Sequence, residues 1–331
     1  MSISIKTNKT TYQFEIGAVN QWCGENIILK NQIVDIISKY FSKSKYAEYE
    51  ENMVCDVFID NESVGRNYYN TFLISSREEM ISNMKLSKNS LVMKYLMNRI
   101  MTNFDVSREM FQIEDQLTNV FRIINEEIFD EFENLGIDFE QSELFEIIQE
   151  SKIVDANGEN INRLSNYEIL SNYIKLVCKV GQESGNQILV IIRNVDHLLT
   201  SDEYRKIYDE MLEMTRSMDI KFIVTISLDG YCIINKSNIE NVTIINDEEY
   251  TLPPFGKIKE YIENNYPIYR EIDDDWLVYN LEKSVNIIGK SDGNAELSSE
   301  IVAGLINRTL HIIQKQKYPI NNIELAFINK Q

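Results

Sequence analysis

The stretch Gln187–Leu199, QILVIIRNVDHLL, decides how this chain is read. Ile188 to Ile192 are apolar without a break, and all but Leu189 are β-branched. That pattern predicts a strand buried on both faces, as the central strands of parallel sheets are. Asn194-Val195-Asp196 follow and place a carboxylate just past the strand's end. Open α/β sheets gather their ligands at the C-terminal ends of their strands. Thr200 and Glu203 then make a T-x-x-E capping box, so a helix starts at once. Strand, acid and capped helix form one half of an NTPase-like core, and the other half would be a phosphate loop.

The place to look for that loop is near the N-terminus. Thr11–Ala18 alternates Tyr12, Phe14 and Ile16, a strand pattern. It runs into a glycine-bearing loop, Gly17–Gly24, and then a helix with Leu29, Ile33, Ile36, Ile37, Tyr40 and Phe41 on one stripe. The layout fits a phosphate loop but the chemistry does not. A P-loop needs G-x-x-x-x-G-K-[ST], with Lys on the β/γ-phosphates and the hydroxyl on Mg²⁺. Here Glu25 and Asn26 follow Gly24, and Lys30 lies more than a turn further along. A carboxylate at the helix start already satisfies the dipole that would have held a phosphate. No catalytic residues and no ATP turnover are expected.

Elsewhere the chain alternates strands and helices, which predicts a parallel α/β sheet. Strand patterns lie at Met53–Ile59, Thr71–Ser75, Phe222–Ser227 and Val242–Ile245, and Ser76/Glu79 and Ser165/Glu168 cap helices. From about Lys88 to Gly136 the pattern is wholly helical, and its longer helix carries Ile113, Leu117, Val120, Phe121, Ile124, Ile128, Phe132 and Leu135. At 1.5 Å per residue it spans on the order of 40 Å, so it reads as a projecting lobe. Pro253-Pro254 marks the clearest boundary; beyond it come an acidic turn at Asp273–Asp275, a strand-like patch at Trp276–Tyr279 and a helix from Ser298 to about Gln314. The expected organisation is a head (1–87 and 144–252, central strand 187–194), a helical leg (88–143), and a C-terminal extension (253–331) packed on the head.

Composition narrows the function classes. The apolar runs are too short to cross a bilayer, and the first twenty residues lack the apolar block of a signal peptide. Four cysteines without a C-x-x-C and two histidines suggest neither a disulfide framework nor a zinc site. A reduced, soluble, cytoplasmic protein is expected. The net charge of −19 argues against indiscriminate nucleic-acid binding. Its distribution is uneven, however: residues 109–150 carry thirteen acids and one base, whereas 1–45 and 77–108 each carry six bases against three acids. The acidic run Glu126, Glu127, Asp130, Glu131, Glu133, Asp138, Glu140 and Glu143 reads either as a solvated acidic face or as a calcium site, since Ca²⁺ takes several carboxylate oxygens in a flexible shell.

The ordered set GENIILKNQI (Gly24–Ile33), the helical lobe, LFEIIQ (Leu144–Gln149) and QILVIIRNVDHLLTSDE (Gln187–Glu203) resembles one family. It is the accessory protein of type II-A CRISPR systems needed for acquiring new spacers, the Csn-two family, in its longer form. The resemblance implies a degenerate P-loop-NTPase-like head with a helical leg, assembled as a ring-shaped homotetramer. It implies binding of double-stranded DNA ends on a positive inner surface, bound Ca²⁺, and the CRISPR integrase complex and large effector nuclease as partners. By position, Asp138 and Glu140 fall where the family has acids, with Glu127 and Glu133 as partner ligands. For DNA the candidate bases are Lys30, Lys39, Lys43 and Lys45 on and after the helix that follows Gly24. Lys85, Lys88, Lys94 and Arg99 stand at the start of the leg. Asp196 reads as a strand-end helix cap or salt-bridge partner. Two alternatives stay open: a nucleotide hydrolase with Asp196 on Mg²⁺ and Gly24 beside the phosphates, or an acidic protein-interaction scaffold.

Overall fold

A computed structural model describes residues 1–331 apart from 101, 132–143, 184, 229, 247, 269–270, 290–295 and 313–331. The chain divides into two units, Met1–Ser75 with Asn186–Gln331, and Ser76–Gly185.

The first unit holds two sheets. β1 (Ser2–Thr7), β2 (Thr11–Glu15), β4 (Cys55–Ile59) and β5 (Glu62–Ser63) form an antiparallel sheet in the order β2-β1-β4-β5, while β3 (Val19–Cys23) leaves it for the other sheet. Register sets Ile3 opposite Phe14 and Ile59, and Ile5 opposite Tyr12 and Val57. All six are buried, so period-2 alternation gives this sheet one apolar face. That face belongs to the same core as Trp22 and the stripe Ile33, Ile36, Ile37, Tyr40 and Phe41 of α1 (Ile27–Phe41).

The second sheet combines β3 with β6 (Tyr69–Ile74), β7 (Gln187–Ile192), β8 (Ile220–Thr225), β9 (Val242–Ile245) and β10 (Glu249–Thr251), in the order β10-β9-β3-β8-β7-β6. Every pairing is parallel except β9 with β10. β7 is buried from Ile188 to Ile192, in line with its uninterrupted apolar run. The helix after it, α7 (Ser201–Ser217), starts at the Thr200/Glu203 box. There the Thr200 amide and hydroxyl hold the Glu203 carboxyl below the usual carboxylate range.

Two strand assignments change. The Thr11–Ala18 strand ends at Glu15, and the supposed loop Gly17–Gly24 contains β3, which lies inside the parallel sheet between β8 and β9. The two polar residues at its middle concealed it, because Asn20 and Gln21 are fully buried. Each is satisfied by the chain around it. Asn20 Nδ2 donates to Phe222 O at 2.8 Å. Gln21 Nε2 donates to Ile233 O at 2.6 Å, and its Oε1 accepts from Ile233 N at 2.9 Å and Tyr204 Oη at 3.2 Å. The strand-like patch Trp276–Tyr279 is also helical, part of α9 (Asp274–Ser284). Asp273 caps that helix, accepting from the amides of Asp275 and Trp276. α10 (Leu297–Thr309) packs with both α9 and α8 (Phe255–Asn265) within the first unit.

The second unit is helical: α2 (Arg77–Asn83), α3 (Leu91–Ile100), α4 (Phe104–Glu131), α5 (Leu144–Glu150) and α6 (Asn166–Gln182). It is wider than the 88–143 segment expected from periodicity, because α6 packs on both α2 and α3. Arg77 fastens the start of α6, donating to Asn162 O, Leu164 O and Asn166 Oδ1. α4 buries no described side chain; Phe111, Ile113, Val120 and Ile123 are all exposed. No helix among the described residues is long and apolar enough to cross a membrane.

Replacing Gln21 by Leu would keep the volume but leave the Ile233 amide and carbonyl without their partner inside the sheet. We expect Gln21→Leu to cost about 2–4 kcal/mol in chemical denaturation. Stability equal to the parent would contradict the role given to this side chain.

Candidate functional site

The C-terminal ends of β3, β7, β8 and β9 are where a parallel sheet of this kind would hold a ligand. The chain itself fills that place. β3 runs into Gly24, whose φ of +95° is open to glycine, and a Cβ there would lie 2.3 Å from Ile245 O. α1 then begins with its cap residue engaged on both sides. Asn26 Oδ1 accepts from Leu29 N at 3.0 Å, and Asn26 Nδ2 donates to Asn246 O at 2.8 Å. The Glu25 amide donates to Asn246 Oδ1 at 2.9 Å, and the Asn26 amide to Ile245 O at 3.3 Å. Amides that would cradle a phosphate in a P-loop are thus spoken for by β9 and the residue after it.

One turn into α1 stands Lys30, completely buried. Its Nζ donates to Gly24 O at 2.7 Å, to Ser227 Oγ at 3.0 Å, and to Ile226 O. After β7, Asn194 adopts a left-handed conformation (φ +50°) and turns the chain so that Asp196 faces the segment after β8. Asp196 Oδ2 accepts from Ser227 N at 2.9 Å and Leu228 N at 2.7 Å, while Oδ1 is buried without a hydrogen-bond partner. The adjacent Asn194 amide donates to Thr225 Oγ1 at 2.7 Å. Asp196 is therefore a clamp on the loop after β8, and among the described residues it makes neither a helix cap nor a salt bridge.

Lys30 must be removed from the candidate DNA contacts, since a buried ammonium cannot meet a phosphate. Lys39 is half-buried and committed to Glu50 at 2.8 Å, with its Nζ 5.9 Å from the Tyr46 ring centre. The same bond holds the Glu50 carboxyl below the usual range. Lys43 and Lys45, just past α1, are exposed. In the second unit Lys85, Lys88, Lys94 and Arg99 are exposed, Arg99 lying over the Tyr95 ring at 5.7 Å. Lys88 and Lys94 share an open hollow of about 410 Å³ with Met93, Met97 and Glu183.

Of the acids read as metal ligands, Glu127 is exposed on α4, and Glu133, Asp138 and Glu140 lie outside the described residues. Among the described residues no group of three or more His, Cys, Asp or Glu could hold a metal ion. The described part of the chain does not by itself supply a calcium site. Sequence reasoning missed Asn246 and Ser227, whose partners at the start of α1, Glu25 with Asn26 and Lys30, lie some two hundred residues away. Asn26 had a legible signal as an N-cap residue directly before the apolar stripe of α1.

The fold and site define a mixed α/β protein whose strand-end crevice is occupied by its own side chains. A family model described as "CRISPR-associated protein Csn2 subfamily St" matches residues 5–317, and the chain belongs to this family. The crystal structure of Stu0660 of Streptococcus thermophilus superposes with a TM-score of 0.81 over 100% of both chains at 19% identity, and so shares the fold. Weaker likenesses are to an Smc head domain from Pyrococcus furiosus (TM-score 0.42, 11% identity, 80% of this chain and 98% of that one) and to cbiO1 from Clostridium perfringens (TM-score 0.39, 9% identity, 80% and 95%). No curated protein matches the chain.

Gly24→Ala should lose on the order of 1–3 kcal/mol from the backbone conformation alone, with the clash against Ile245 adding to it. Gly65→Ala, where a Cβ meets nothing within 4 Å, is the control and should stay near the parent in a urea titration. Equal stability of the two variants would contradict the close approach at Gly24.

Proposed function

We propose that this protein is a DNA-end-binding ring protein acting without catalysis in CRISPR spacer acquisition. Family membership, which supports a CRISPR accessory role without catalysis, is the observation that carries the reading. The head is taken as a degenerate NTPase-like domain, a reading supported by Lys30 and Asn246 standing where nucleotide phosphates would need free donors. A homotetrameric ring is supported by the apolar stripe of α4, which no described residue of its own chain buries. The proposed partners are the CRISPR integrase complex and the large effector nuclease of the same system, and the proposed place is the cytoplasm.

The DNA surface is drawn from the exposed bases Lys43, Lys45, Lys85, Lys88, Lys94 and Arg99. A chain of charge −19 binds a duplex only where bases converge and acids face away, and a ring would repeat each base once per subunit. Binding should be independent of sequence, fall steeply with salt, and favour linear over closed circular duplex. Changing Lys43, Lys45, Lys85 and Lys88 together to Gln should flatten the salt dependence, by roughly one in slope for each lysine that meets a phosphate. Equal affinity for linear and circular DNA would end the DNA-end reading, and an unchanged slope would move the surface elsewhere.

Calcium belongs to this proposal through the family and through the acids Glu127, Glu133, Asp138 and Glu140 of the acidic run. A ligand bound only by the folded state raises Tm with its concentration. Added Ca²⁺ should therefore raise Tm of metal-stripped protein, whereas an unmoved melting curve would withdraw calcium from the account.

A further inference from the structure

Burying an ammonium is costly unless oxygens replace its water. Lys30 meets that condition in the strand-end crevice. Its acceptors come from both sides of that crevice: Gly24 O after β3, and Ile226 O with Ser227 Oγ after β8. The same segment after β8 is held from the far side by Asp196, through the Ser227 and Leu228 amides. Asn246, after β9, ties the start of α1 to the set through the Glu25 amide and the Asn26 side chain. Four strand ends are thereby joined through one lysine, one carboxylate and one amide side chain.

We propose that Lys30 is a tethered cation doing the work of a bound ligand, an intramolecular occupant that holds the strand-end loops in one arrangement. The site is an oxygen cage suited to a primary ammonium. Its floor of carbonyl and hydroxyl oxygens, with the Asp196 carboxylate beside Ser227, is electronegative and unsuited to a phosphate. The crevice is self-occupied, so the arrangement of the head loops is set without nucleotide. This goes beyond the DNA-end reading, because it concerns how the head is held rather than what it binds. A lysine that merely fills space would behave differently, since methionine fills nearly the same space without the charge.

The test compares the full chain with Lys30→Met, Lys30→Ala and Ser227→Ala by thermal melting and amide hydrogen exchange. Lys30→Met should lower Tm by roughly 5 °C or more, and the Ser227 and Leu228 amides should exchange at least about tenfold faster. Methylammonium chloride should restore part of the loss in Lys30→Ala, tetramethylammonium chloride at equal concentration should not, and neither should alter the parent. Parental Tm and protection in Lys30→Met would overturn the proposal, as would equal effects of the two salts on Lys30→Ala. Should neither Lys30 variant fold, Ser227→Ala decides, since it deletes one acceptor and leaves the lysine in place. Faster exchange at Leu228 supports the cage, and parental protection there overturns it. No DNA enters the experiment, so its failure would leave the DNA-end reading standing.

Discussion

The first unit is arranged around one fully buried ammonium. An ammonium removed from water must be surrounded by acceptors, and Lys30 finds Gly24 O, Ile226 O and Ser227 Oγ. Those acceptors are available only if β3 and β8 are neighbours, as their parallel pairing makes them, and if Gly24 turns through a left-handed φ against Ile245. The buried amides of β3 serve the same end. Gln21 binds both polar groups of Ile233, and Asn20 binds Phe222 O. The strand sits inside the sheet through polar contacts that are directional and admit one register.

Apolar arithmetic made much of this legible. β7 followed from an unbroken run, and α6 and α7 from S/T-x-x-E boxes whose hydrogen bonds are both present. β3 was hidden because Asn20 and Gln21 read as loop residues when their partners, far away in sequence, are unknown. Lys30 was misjudged for a related reason, since lysines are almost never fully buried. A signal existed nonetheless: positions 30, 33, 34, 37 and 41 share one helical face, which puts Lys30 on the apolar stripe. The strand-like pattern of Trp276–Tyr279 hides part of α9, although Asp273 just before it is an N-cap signal. The site was legible chiefly in what it lacked, the P-loop lysine and hydroxyl, and not in what replaced them.

Charge and apolar surface divide the molecule by task. The first unit builds a core from its own apolar residues, whereas α4 buries none of its described side chains and leaves Phe111, Ile113, Val120 and Ile123 exposed. Along α4 eight acids face only Arg108 and Arg122 as opposing bases. The candidate DNA bases stand elsewhere, Lys43 and Lys45 just past α1 and the others between Lys85 and Arg99. A helix this acidic is a poor partner for DNA and a reasonable one for protein, while separate basic segments are what a strongly acidic chain needs to approach a duplex at all. This division fits a CRISPR accessory protein whose proposed business is to hold DNA rather than to change it.

The central claim, that the strand-end crevice is closed by the protein's own side chains, is tested most directly by calorimetric titration of the full chain with Mg²⁺-ATP. The account predicts no binding heat up to millimolar nucleotide. Saturable micromolar binding would mean that Lys30 and Asn246 yield to phosphate, and it would contradict the account.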